Sequence, residues 1–386
     1  MNRRFEQLDS VRGLAAFTVM FSHFSDVTAT YLFSVIFARS PFKVLINGQS
    51  AVLLFFVLSG FVLSLPLLNG RQINYPVFVG RRILRIYIPY LVSIILSILL
   101  SLILSRGGID GLSDWFNRTW TSKISISLLF EHLLLIGNIH SDAFNNVIWS
   151  LVHEMRISLI FPLVFFIVRK FDWKYSILIG FFLSIFSTLN DNFSFQVSNG
   201  YYTTYWDSLH YASMFIIGGV IAKHLKEIIK MYQGLSKLNK WILFISAFGF
   251  YNYPGIGIRI LNIINFPYPA RVLMDYIAVI GAVLFIIIAI GSGKVTKLLM
   301  LKPINFLGKI SYSLYLYHLI VLLSLIYLLY NVVTIEIIFL LTIVVSICIS
   351  TLAYFIVEEP FIKLGKKIYN KQKIRQIPNE SNRTVS

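Results

Sequence analysis

Arg12 and His23, in LDSVRGLAAFTVMFSHF, are eleven residues apart. On an α-helix that separation is three turns plus about 20°, so both side chains leave one face with a rise of ~16 Å between them. Imidazole titrates near working pH and is the commonest general base, whereas the guanidinium is a permanent cation. A cation at the mouth of a path and a base halfway along it suit an anionic substrate. The same pair also fits a basic anchor plus a histidine bonded between helices. Asp26, three residues after His23, is expected to be solvated at the outer end of the segment.

Three further stretches place polar groups at chemically useful spacings. In GRRILRIYIP, Arg82 and Arg85 are i, i+3 neighbours with Arg81 beside them, a grouping suited to forked binding of phosphate or to anionic lipid. In NNVIWSLVHEMRISLIFPLV, Glu154 lies two turns into an apolar run, with Trp149 near its start. Glu154 and Arg156 are two residues apart and cannot face each other, so Glu154 needs a partner on another helix or a watered cavity. Pro162 should open the backbone ladder of that run. In LGKISYSLYLYHLIV, Ser311, Tyr315 and His318 share a helical face. The loop YYTTYWDSLH, with Tyr201, Tyr202, Tyr205, Trp206, Asp207 and His210, reads first as an interfacial aromatic belt and second as a sugar-stacking platform. No metal-ligand spacing, P-loop, dinucleotide fingerprint or nucleophile elbow occurs.

The elements that must carry these residues follow from composition. The 386-residue chain is 57% hydrophobic and 13% charged, with mean hydropathy +0.75. Soluble domains are far more polar, so this is an all-α polytopic membrane protein. With about 20 apolar residues per crossing, ten spans are expected, at 11–31, 49–68, 87–105, 146–168, 174–190, 207–223, 241–253, 271–291, 305–330 and 334–357. The segment 124–137 is too short to cross and reads as interfacial or re-entrant. Residues 1–361 form one integral-membrane domain, and 362–386 a basic tail disordered at its end.

Lys and Arg total 34 against 17 Asp and Glu, a net charge of +17. With the N-terminus inside, roughly 26 of the 34 fall on the cytoplasmic side, about 7 outside, and Arg156 within a span. The excess therefore reads as topology, with both termini cytoplasmic in a plasma membrane, rather than as nucleic-acid binding. Membrane lipids are its expected surroundings. Cys348 is the single cysteine, which excludes an intrachain disulfide.

Six motifs in order resemble the integral-membrane acyltransferase-3 family, whose members O-acylate cell-surface sugars and some small molecules. They are LDSVRGLAAFTVMFSHF, FFVLSGFVLS, RRILRIYIPY, WSLVHEM, ISYSLYLYH and VEEPF, spread over nearly the whole chain. Ser10 stands where the family usually has Gly. The resemblance implies a bundle of ten core helices and an acyl-CoA donor, most often acetyl-CoA, approaching from the cytoplasm. Arg82 and Arg85, with Arg81, would hold its phosphates and Arg12 would orient it. His23 would activate the acceptor hydroxyl or relay the acyl group covalently. Glu154 would lie on the acceptor side, with Trp149, Tyr315 and His318 as substrate contacts. Oxyanion stabilisation could come from Tyr315, Ser311 or Arg12. The acceptor would be a polysaccharide or lipid-linked glycan. The esterase-like domain that some members add is not expected, so the chain completes transfer alone or hands the acyl group to a separate extracytoplasmic partner. The competing reading is a secondary transporter or flippase using His23 or Glu154 for protons, which lacks the internal repeat such folds carry. Within the family, a succinyl or longer donor or a small-molecule acceptor is also open.

Overall fold

The computed structural model describes residues 5–28, 36–37, 40–256 and 270–375, with side chains to 368. Arg3, Arg4, the end of the first expected span and the tail beyond 375 lie outside the described residues. In chain order the helices are α1 Glu6–Val27, α2 Gly48–Leu68, α3 Tyr75–Arg82, α4 Ile88–Leu104, α5 Asp114–Arg118, α6 Ile126–Leu134, α7 Ile148–Leu159, α8 Phe161–Lys170 and α9 Trp173–Phe193. They continue as α10 Tyr205–Lys223, α11 Leu225–Gly234, α12 Lys237–Asn252, α13 Ala270–Gly291, α14 Gly293–Leu299, α15 Lys302–Lys309, α16 Ser311–Leu329, α17 Ile335–Ala353 and α18 Glu359–Arg375. No β-strand occurs among the described residues. The first part of the expected tail is thus helical, because α18 runs on from the last apolar helix.

A helix occupies each of the ten expected positions, but fewer qualify as crossings on their own. Six are long and apolar enough: α2, the α3–α4 stretch Tyr75–Leu104, α9, α13, α16 and Ile335–Ile368. The bent pair α7–α8 makes a seventh if it counts as one span. Helices α1, α10 and α12 do not qualify. Helix α12 has only 16 residues. Helix α1 carries Glu6, Asp9, Arg12 and Asp26, and α10 buries Asp207, Ser208 and His210. Helices lined by other helices need not be apolar all round, and α1 packs against α2, α13, α15 and α16.

The packing follows a membrane rule: small polar side chains face inward and large apolar ones outward. On α4, Ser93, Ser97 and Ser101 are buried while Ile95, Leu99 and Leu102 are exposed. On α9, Ser176, Gly180, Ser184 and Ser187 turn in, and Leu178, Phe182 and Ile185 turn out. The centre is α2 and α16, 61% and 72% buried over their apolar windows against 28% for α9. Helices α2 and α10 come closest at Gly60 and Gly218, where a β-carbon would collide with the backbone oxygens of Phe215 and Val57 respectively. The motif glycine of FFVLSG is therefore a close-approach residue.

Three prolines reshape helices near the motifs. The expected opening at Pro162 is a 65° bend between α7 and α8. Its ring supplies no N–H for the Ser158 carbonyl. Ahead of Pro89 the chain makes a π-helical turn, Ile83–Tyr87, and ahead of Pro360 another, Tyr354–Glu358. A wider turn accommodates a ring that would clash with the carbonyl four residues back.

Candidate active site

Three cavities lie in series through the bundle. The first, of about 260 Å³, is lined by Arg71, Arg81, Arg82, Arg85 and Lys366, with apolar walls from α2 and α18. The second, of about 70 Å³, is bounded by Arg12, Arg85, Glu154, Ser311 and Tyr315. The third, of about 340 Å³, holds His23, Asp26, Trp115, Asn146, Trp149 and Tyr201. Arg85 belongs to the first two, and Val52 and Tyr315 to the last two. Along α1, Arg12 therefore sits at the narrow middle cavity and His23 at the far one, the ~16 Å offset that periodicity predicted.

The π turn separates the two arginines that an α-helix would have kept on one face. Arg82 is buried: its Nε donates to Ser158 Oγ at 3.0 Å and its Nη2 to Glu154 Oε1 at 2.8 Å. Arg85 is exposed and bridges the first and second cavities. Both still reach the first cavity, Arg82 from within and Arg85 from its rim. Glu154 finds the partner on another helix that its isolation demanded, and Ser59 Oγ also donates to it at 3.4 Å. Arg12 has Asp9 at 3.8 Å, one turn back.

At His23 the structure corrects the reading of Asp26. That carboxylate is not merely solvated: it lies 3.0 Å from His23 Nδ1. Since a carboxylate only accepts, Nδ1 carries the proton and Nε2 is the basic nitrogen. Near-parallel rings stack on the imidazole: Trp115 at 5.2 Å and 17°, His318 at 5.3 Å and 22°. The plane of the base is thus fixed by stacking and its tautomer by Asp26, the orienting arrangement of a catalytic histidine. Trp115 comes from the short helix α5, whose N-cap Ser113 ties it to the end of α1: Ser113 N donates to Val27 O at 3.1 Å and Ser113 Oγ donates to Asp26 O. No helical pattern could have placed it.

His318 is fully buried and lines none of the three cavities. Its Nδ1 donates to Leu314 O at 2.8 Å, and its Nε2 has no hydrogen-bond partner among the described residues. It reaches the site through its stack on His23. Tyr315 lies between the second and third cavities with its hydroxyl proton committed. The hydroxyl is 3.0 Å from Val147 O and 2.7 Å from Ser150 Oγ. Trp149 meets Tyr201 edge-to-face at 5.2 Å in the wall of the third cavity.

The loop expected to be an aromatic belt divides in two. Tyr201 lines the third cavity, its phenol held above the ordinary range by burial and by Tyr202. Asp207 and His210 turn into the bundle. Thr204 and Asp207 form a capping box for α10, Asp207 also pairs with Arg271 at 2.9 Å, and His210 meets Asp275 at 3.1 Å. The T-x-x-D spacing that signals such a cap is visible in the sequence. Arg156 donates five hydrogen bonds, to the carbonyls of Ile136, Gly137, Thr203 and Thr204 and to Ser208 Oγ, joining two loops beside the third cavity. From VEEPF, Glu358 is buried and accepts from Ser313 Oγ at 2.6 Å. Among the described residues no three His, Cys, Asp or Glu side chains converge as a metal site.

Comparison with curated proteins and with solved structures gives no match. Residues 5–355 match the acyltransferase-3 family, described as an acyltransferase domain. That interval contains every residue of the three-cavity path except those supplied by α18, so this multi-pass membrane protein is an acyltransferase and belongs to the acyltransferase-3 family.

Proposed function

We propose that the chain moves an acetyl group from cytoplasmic acetyl-CoA to a hydroxyl of a cell-surface or exported carbohydrate, from a plasma membrane with both termini cytoplasmic. The observation that carries this reading is the series of cavities joining an arginine-lined mouth to an oriented histidine. Guanidinium groups bind phosphate through paired donors, so Arg81, Arg82 and Arg85 suit the nucleotide end of the donor. The pantetheine arm is thin and uncharged and fits the narrow passage past Arg12 and Tyr315. The acceptor enters the third cavity, where Trp149 and Tyr201 offer aromatic faces and Asn146 and Asp26 offer polar groups to a sugar.

In the step proposed, the acceptor hydroxyl gives its proton to His23 Nε2 as its oxygen attacks the thioester carbonyl. The tetrahedral intermediate collapses, the C–S bond breaks, and the proton passes from Nε2 to the departing thiolate. The products are an O-acetyl ester and CoA. Asp26 holds the imidazole in the required tautomer and stabilises its protonated form. A separate extracytoplasmic partner is unnecessary if the carbohydrate itself enters the third cavity.

Labelled acetyl-CoA supplied to permeabilised membrane vesicles from the source organism, lacking its own copy and complemented with this chain, should yield labelled glycan and free thiol. His23→Ala should abolish both while leaving expression and thermal stability intact. Full activity of a folded His23→Ala protein overturns the assignment.

A further inference from the structure

The transfer proposed above places negative charge on the thioester oxygen, and something must donate to it. We propose that Asn146 is this catalytic residue, its side-chain amide N–H groups binding the oxyanion in the third cavity; this rests on the acyl-transfer reading. The candidates suggested by sequence are poorly placed. Ser311 and Arg12 line the second cavity, whereas His23 lines the third. Tyr315 has one proton, committed to Val147 O or Ser150 Oγ. Among the other serine and amide side chains around the third cavity, Ser22 Oγ donates to Val19 O, Ser25 Oγ to Ser22 O, Asn47 Nδ2 to Tyr251 O and Gln49 Nε2 to Asp275.

Asn146 differs from all of these. It stands just before α7, 8% exposed, in the wall it shares with His23. Its orientation is set from behind. The Tyr201 N–H donates to Ser141 Oγ at 3.2 Å, which leaves the Ser141 hydroxyl proton to turn toward Asn146 Oδ1 at 3.4 Å. With Oδ1 facing fully buried Ser141, the NH₂ group takes the other direction, and among the described residues no side chain or carbonyl accepts from it. An amide held from behind, with both donors unused in the cavity that His23 also lines, is preorganised for developing negative charge at no reorganisation cost. The arrangement also places the base on α1 and the oxyanion donor on the loop entering α7, so the reacting carbonyl would lie between two separate elements.

The test uses the vesicle assay with labelled acetyl-CoA. Losing one oxyanion donor costs on the order of 10²–10³ in kcat. Asn146→Ala should fall in that range with the donor KM within about threefold of wild type, since Arg81, Arg82 and Arg85 are untouched. Asn146→Asp keeps the size and the acceptor for Ser141 but offers a carboxylate to the oxyanion. It should lose at least as much kcat while unfolding at the wild-type temperature, which separates chemistry from packing. A folded Asn146→Ala or Asn146→Asp protein with kcat within threefold of wild type overturns the proposal, as does a loss confined to KM. Absence of transfer by the wild-type protein itself overturns the underlying reading and this one with it.

Discussion

Replacing Asp26 by Asn tests whether His23 works as an oriented base. The variant is nearly isosteric, so the stacks of Trp115 and His318 on His23 persist. What is lost is the charge on the acceptor 3.0 Å from Nδ1. A hydrogen bond to a charged group is worth about 1.5–3 kcal/mol. The Asp26 side chain is 43% exposed, so water screens it and the lower part of that range, about 1.5–2 kcal/mol, applies. At 1.36 kcal/mol per factor of ten, kcat should fall roughly 10- to 30-fold. The decrease should appear in kcat and leave the donor KM alone, because Asp26 lines the third cavity and the arginine cluster the first. Initial rates of label transfer at varied acetyl-CoA give both constants. A kcat within twofold of wild type would show that Asp26 does not act through His23. A loss expressed only as donor KM would place the donor in the wrong cavity.

Two other substitutions probe the ends of the path and its frame. Arg85→Ala should raise the donor KM about tenfold with little change in kcat, as for lost uniform binding, and steady-state kinetics at varied acetyl-CoA reads it. Arg85 is preferable to Arg82 here, since removing Arg82 also strands Glu154. Arg156→Gln should destabilise the protein by about 3–5 kcal/mol, because several of five acceptors lose their donor in a buried network. The thermal midpoint in detergent reports it, and Arg156→Lys, unable to spread over five acceptors, should rescue little.

How much of this was legible in the sequence depended on whether a residue obeyed the α-helical period. Arg12 and His23 did, and the one helix α1 delivers them to the second and third cavities in turn. Arg82 and Arg85 did not, because Pro89 forces a π turn between them and sends one inward and the other to the rim. The pairing of His23 with Asp26 was open to view as an i, i+3 spacing. It was misjudged because membrane depth was taken as the guide to solvation, whereas Asp26 borders an internal recess. Asn146 and Tyr201 reach His23's cavity from loops and Trp115 from the five-residue helix α5, and neither a loop nor so short a helix has a period to read. Fewer helices qualify as crossings than the ten expected for a related reason: α1 and α10 pack among other helices, and hydropathy measures fitness for lipid, not for a protein lining.

Charge along the path explains why the donor would stop where it does. Among the described residues the first cavity carries Arg71, Arg81, Arg82, Arg85 and Lys366 without a carboxylate. The second sets Arg12 and Arg85 against Glu154, and in the third the one formal charge besides His23 is that of Asp26. The sign therefore runs from strongly positive through nearly balanced to slightly negative. Under the proposed transfer, an anionic nucleotide would be held at the first stage and opposed at the third, while a neutral acyl-pantetheine arm would cross all three without electrostatic penalty. Glu154 is central to that grading. Its pairing with Arg82 offsets one guanidinium's charge at the threshold, so the donor's phosphates would be held ahead of the passage and not drawn into it. A Glu154→Gln protein would extend the positive region toward Tyr315. Under this reasoning it should bind the free CoA nucleotide more tightly while transferring more slowly, whereas Arg85→Ala weakens binding and leaves kcat nearly unchanged.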